Sequence, residues 1–108
     1  MQAGTVFVNG VQAGLLQLTD AGKYVFRYED MYFVNAAMPP VSISLPKNSQ
    51  VHESDTLFPF FYGLLAEGVN KEIQCRLLKI DEQDDFTRLL KTAATDTIGA
   101  VTIIAQTA

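Results

Sequence analysis

The hydrophobic period changes near residue 54, and that change limits the fold more than any single motif. Before it, apolar residues mostly alternate as in strands. After it they recur every three or four residues as in helices, until one last strand-like run. Strands followed by helices imply an α+β domain, with two or three helices packed on a mainly antiparallel sheet of about five strands. The closing strand has to rejoin that sheet, because a lone strand leaves its backbone groups without partners.

The first third reads as a meander. Thr5-Val6-Phe7-Val8 is β-branched and aromatic, and Asn9-Gly10 follows directly. Both residues tolerate the positive φ of a tight hairpin turn, so residues 11–19 form the return strand. Gly14 inside that strand marks a bulge or a close backbone approach. Asp20-Ala21-Gly22 is a second turn. In the third strand Tyr24, Phe26 and Tyr28 share one face, and Val25 and Arg27 share the other. Residues 29–40 fit either a short helix or an extended stretch, closed by Pro39-Pro40. Residues 41–45 alternate cleanly and predict a fourth strand, with Val41, Ile43 and Leu45 on one face and Ser42 and Ser44 on the other. The polar stretch 47–53 reads as the most mobile loop.

Ser54 or Asp55 is placed to cap a helix, and Leu57, Phe58, Phe61, Leu64 and Leu65 form its apolar stripe. Pro59 fits only the first turn, so the regular helix starts near it, and Gly68 ends it. A second helix from about Val69 places Val69, Ile73, Leu77 and Ile80 on one face. The acidic run Asp81, Glu82, Asp84 and Asp85 suits the N-terminus of a third helix, in which Phe86, Leu89, Leu90 and Ala93 line up. A turn over 96–99 leads to the last strand, from Ala100 to Ile104. No internal repeat or interdomain linker interrupts the chain, so residues 1–108 are expected to form one domain.

Composition narrows the function classes. Hydrophobic residues make up 48% and charged residues 19%, a globular balance. A net charge of −4 argues against direct nucleic-acid binding, which needs a basic face. No apolar run is long enough to span a bilayer. Met1-Gln2-Ala3-Gly4 lacks the basic start of a signal peptide, so a cytoplasmic location is expected, as is a reduced Cys75. The single histidine, His52, lies in a polar stretch with no sequence link to Cys75, so an activated thiol or a histidine-based metal cluster is not expected. Neither a phosphate loop nor a kinase H-R-D or D-F-G element is present in the sequence. The acidic run lacks the glycine and distal glutamate of a calcium loop. Ser42 and Ser44 have no nearby base to make either a nucleophile.

The aromatic cluster Phe58, Phe60, Phe61 and Tyr62 has two readings. All four belong to the core, or Phe60 and Tyr62, at the edges of the stripe, reach a partner as aromatic anchors do.

Taken together, an ordered set of short motifs resembles the N-terminal domain of HipA, the bacterial serine/threonine kinase toxin of HipA–HipB modules. The set is Val8-Asn9-Gly10, Ala13-Gly14, Tyr24 and Phe26, then Ser42-Ile43-Ser44-Leu45-Pro46. It continues with Phe60-Phe61-x-Gly63-Leu64-Leu65-Ala66-Glu67-Gly68, Phe86-x-x-Leu89-Leu90 and Asp96-x-x-Gly99-Ala100-Val101. Two positions depart from the family pattern: Ala66 replaces a proline, which implies a less sharp helix end, and Ala94 stands where a glycine is usual, which affects the cap of the third helix. In HipA this domain precedes the larger kinase portion. Read as a complete gene product, the chain is similar to HipS, the small component of split HipB–HipS–HipT modules.

The resemblance implies a non-catalytic module that binds and regulates a separate HipA/HipT-type kinase as its antitoxin. The alternative is a scaffold that completes a split kinase without inhibiting it. A HipB-like DNA-binding protein would be a third component of the complex. Neither cofactor nor membrane is expected. The partner-binding candidates are Ser42, Ser44, Phe60, Tyr62 and Glu67. The missing nucleotide-binding elements generate a first prediction. Incubated with ATP and magnesium, the isolated chain neither hydrolyses nor transfers phosphate. Dose-dependent turnover abolished by a point mutation would overturn the non-enzyme reading.

Overall fold

Asn9 and Gly10 both take positive φ, 51° and 80°, and close the first hairpin as the dipeptide predicts. In the computed structural model, which describes residues 2–93 and 100–106, that hairpin joins β1 (Gln2–Val8) to β2 (Val11–Leu18). Then come β3 (Tyr24–Tyr28), α1 (Asp30–Val34), β4 (Val51–Ser54), α2 (Pro59–Tyr62), α3 (Gly68–Leu78), α4 (Asp85–Thr92) and β5 (Val101–Ala105). The strands form one sheet in the order β4-β3-β2-β1-β5, with every neighbouring pair antiparallel. This is the α+β architecture that the change of period implies. The closing strand rejoins the sheet on β1, where Ile103 faces Val6.

Alternation along the strands puts Val6, Leu16, Phe26, Tyr28 and Ile103 on one face, and all five are fully buried. The helices close over that face. Phe61 from α2 reaches Phe26 with ring centroids 5.8 Å apart, and Phe86 from α4 meets Tyr24 edge-on at 5.9 Å. Leu89 and Ala93 complete the cover, so the third helix buries the stripe its sequence predicts, with Leu90 half-buried. The acidic run before it serves the backbone: the Asp84 carboxylate accepts from Thr87 N–H at 3.1 Å, and Asp81 from Gln83 N–H at 2.8 Å. The ambiguous stretch after β3 resolves as α1, capped by the Glu29 carboxylate.

The fourth strand lies elsewhere than the alternation of 41–45 predicts. Val41 and Leu45 are buried, but Ile43 is 96% exposed, and Leu45 N–H donates to Ser42 C=O across a turn. Pro39, Pro40 and Pro46 strip donors from the segment, and the Ser42 hydroxyl takes the Ser44 N–H, so a ladder there has too few bonds to make. Strand β4 comes instead from the polar stretch read as a loop, pairing Phe26 with His52. Three of its four residues, His52, Glu53 and Ser54, are polar, which suits an edge strand half open to solvent. His52 is accordingly half-buried and bonded to Pro46 C=O at 2.9 Å.

The aromatic helix also differs. Helix α2 is a single turn that ends at Tyr62, and Gly68, expected to end it, opens α3 with φ +61°. Beyond Gly63 the chain tightens into shorter-range bonds, Leu64 N–H to Phe61 C=O and Leu65 N–H to Tyr62 C=O. The helix therefore stops well before Ala66. The expected turn over 96–99 and the departure at Ala94 lie outside the described residues.

Gly14 shows why a small residue sits inside β2. The pairing with β1 shifts register after Val6, so that Val6 faces Gly14 while Phe7 faces Gln12. A Cβ on Gly14 would strike the Arg27 carbonyl and lie 2.8 Å from the Phe26 ring. Gly14→Ala should therefore lower stability by about 3 kcal/mol, since the obstacle is backbone rather than a flexible side chain. Urea unfolding of the two proteins checks this. A loss below about 1 kcal/mol would mean that the strands spread without cost.

Candidate partner-binding surface

The serine motif is held from beneath by one phenol. Tyr28 is fully buried, and its hydroxyl accepts from Val41 N–H at 2.9 Å while donating to Leu45 C=O. Both ends of the 41–45 turn are thus bonded to a single oxygen. Tyr32 stacks on Tyr28 with centroids 5.9 Å apart and planes 4° from parallel, and its own hydroxyl donates to Pro39 C=O at 2.6 Å. Burial pushes both hydroxyls above the usual phenol range; for Tyr28 the Val41 N–H works against the shift. At the top of the turn Ser42 and Ser44 bond to each other at 3.0 Å, so their hydroxyls shape the turn. The apolar side chain the turn presents to solvent is Ile43, which the strand reading placed with Val41 and Leu45.

The aromatic segment divides between the two readings. Phe58 and Phe61 are buried, Phe60 is half-buried against Phe61 at 5.4 Å, and Tyr62 is 46% exposed. The edge positions on the stripe are therefore the ones that reach outward. Tyr62 and Glu67 come together on one cavity of about 220 Å³, which Leu65, Ala66, Gly68, Lys71 and Arg88 also line. Phe60 is not part of that lining. Among the described residues no hydrogen bond or ring contact links the serine turn to this cavity, so the five candidates fall into separate places.

Sequence reasoning missed Arg88. It is 3% exposed, donates to Asp85 at 2.9 Å and to Ala66 C=O at 2.7 Å, and so ties α4 to the segment before α3. The available signal was the spacing of Asp85 and Arg88, three apart on a helix that otherwise buries Phe86, Leu89 and Thr92. Helix α3 also differs from a packed helix. Val69, Ile73 and Leu77, on one face as predicted, are 65%, 46% and 74% exposed, and the residue the helix buries is Cys75. Among the described residues no helix is long and apolar enough to cross a membrane.

The comparisons agree with this architecture. Residues 4–104 match the HipA N-terminal domain family, and the chain belongs to that family. A solved structure described as the N-terminal domain of HipA toxin superposes with a TM-score of 0.75 at 31% identity, covering 99% of this chain and 94% of that one. An uncharacterised protein of Haemophilus influenzae is 36% identical over 103 residues, which is 95% of this chain and 92% of the relative.

The phenol clamp makes a prediction of its own. Tyr28→Phe leaves the Val41 N–H and the Leu45 carbonyl without their partner, and should cost about 1–3 kcal/mol at neutral pH. The raised hydroxyl also fixes a pH window. As pH climbs past the ordinary value of 10.0, the unfolded chain loses its phenol proton before the folded one does. Stability is therefore full below that value and falls as pH rises through the folded one. Urea midpoints taken across that range should decline less steeply for Tyr28→Phe. Equal slopes would show that the buried hydroxyl does not control the alkaline limb.

Proposed function

We propose that this chain is a non-catalytic binding module that engages a separate serine/threonine kinase of the HipA/HipT type and restrains it, acting as an antitoxin. The observation that carries the reading is Tyr62, an aromatic side chain left half-exposed on a segment whose neighbours Phe58 and Phe61 anchor it in the core. A rigid, partly apolar ring at the surface costs little entropy to dock, which is why such residues dominate interfaces. Membership of the HipA N-terminal domain family supports the choice of a HipA-type kinase as partner class.

Restraint requires that the module bind the kinase's inactive arrangement better than its active one, since a ligand shifts an equilibrium only by its differential affinity. Direct contact with the kinase's N-terminal lobe or nucleotide-binding loop does this without a third protein. A stable complex of this kind buries on the order of 1,200–2,000 Å² in total.

Co-expression of the kinase with this chain alone, without a HipB-like protein, should rescue growth. Tyr62→Ala should weaken the purified complex by about 1 kcal/mol or more, roughly fivefold in Kd or greater, while leaving the circular dichroism spectrum unchanged. An intact complex without rescue would assign the chain the role of a scaffold completing a split kinase. Absence of any complex would remove both.

A further inference from the structure

Helix α3 turns its apolar residues away from the domain. The residue it buries is Cys75, and Ile73 and Leu77 each stand two positions from it, about 200° around the helix. Both therefore point nearly straight outward, and Val69, one turn before Ile73, extends them into a stripe of three exposed aliphatic side chains. A surface helix ordinarily faces such a stripe inward. The two flanks of the stripe differ in charge. Glu72 and Arg76 run along one side, and Asn70 and Gln74 run along the other. Glu72 and Arg76 are exposed, and among the described residues neither forms an ion pair. One flank thus carries both signs of charge, and the other carries none.

We propose that α3 is a self-association face, which pairs antiparallel with α3 of a second copy of this chain, stripe against stripe. A two-fold axis beside Ile73 sets that residue against its own copy and sets Val69 against Leu77 in both directions, as an isologous interface requires. The same axis places each flank against its own counterpart. Glu72 of one copy then meets Arg76 of the other, twice over, while the amides of Asn70 and Gln74 meet on the far side. A parallel pairing would set the charged flank against the neutral one and bring no opposite charges together. The order of charges therefore selects the antiparallel arrangement, and a second copy carries the matching order by symmetry. An 11-residue helix buries less than the roughly 1,200–2,000 Å² of a stable complex, so the dimer is weak and forms at high concentration.

The test uses the 108-residue chain by itself. Sedimentation equilibrium from roughly 10 μM to 1 mM covers dissociation constants of this weak class, and nitrogen-15 amide spectra over the same range locate the contact. The expected result is a monomer–dimer equilibrium with concentration-dependent movement of the signals of residues 69–77. Ile73→Asp should abolish the dimer, because that position meets itself at the axis and two carboxylates would face each other. The exposed flank supplies a second pair of variants. Glu72→Arg and Arg76→Glu should each weaken self-association by roughly fivefold or more, since two attractions become two repulsions. An equimolar mixture of those two variants should associate again about as well as the unchanged protein, because the flank of one then complements the flank of the other. The circular dichroism spectrum should be the same in all three. A monomer at every concentration, a dimer that survives Ile73→Asp, or charge variants that each self-associate like the unchanged protein would overturn the pairing. So would signals of residues 69–77 that stay still with concentration and move only when a HipA-type kinase is added, which would assign the stripe to that partner. The self-association measurement contains no kinase and Tyr62 belongs to α2, so its outcome is independent of the antitoxin reading.

Discussion

The phenol oxygen of Tyr28 connects the two halves of this molecule. It belongs to the sheet, at the end of β3, yet its hydrogen bonds belong to the loop that carries the chain from α1 to β4. A buried hydroxyl has to find partners, and here both partners are backbone groups of one turn. That requirement fixes the turn, pulls Val41 and Leu45 inward and leaves Ile43 outside. Phe26 packs edge-on against the same ring at 4.9 Å, and Tyr32 stacks on its other side, so the oxygen is held by an aromatic column. Phe26 then carries the contact across to Phe61 and the helices.

The surface suited to binding follows from that frame. Once Phe58 and Phe61 are committed to the core, a single helical turn leaves Tyr62 nowhere to go but outward. The early stop at Tyr62 then makes room for the bend through Ala66 that brings Glu67, Lys71 and Arg88 around one cavity. The family proline at position 66 is not what ends the helix here; the chain has already left it. An alanine in its place still presents the carbonyl that Arg88 binds.

Family membership and local chemistry carry different parts of the functional argument. The family places the chain among HipA N-terminal domains, and the kinase partner is the proposal built on that membership. The side chains on offer are an anchored but exposed aromatic and an exposed apolar face on α3.

The sequence by itself determined the meander, the helix of Phe86 and Leu89, and the return of the last strand, because each rests on a period or a turn residue that acts locally. Asn9-Gly10 needs nothing distant to form its turn, and Tyr24, Phe26 and Tyr28 share a face in any strand. Tertiary structure alone decided where β4 lies. An alternating run such as 41–45 is equally consistent with a strand and with a turn buried at both ends, and the choice depended on the Tyr28 hydroxyl, distant in sequence. The outward face of α3 was decided the same way: its period is plain, but burial depends on a neighbour, and Cys75 rather than Ile73 meets one. Arg88 was the least legible residue, since a charged side chain is buried only when the fold brings it a carbonyl, and the carbonyl it received belongs to Ala66, 22 residues away.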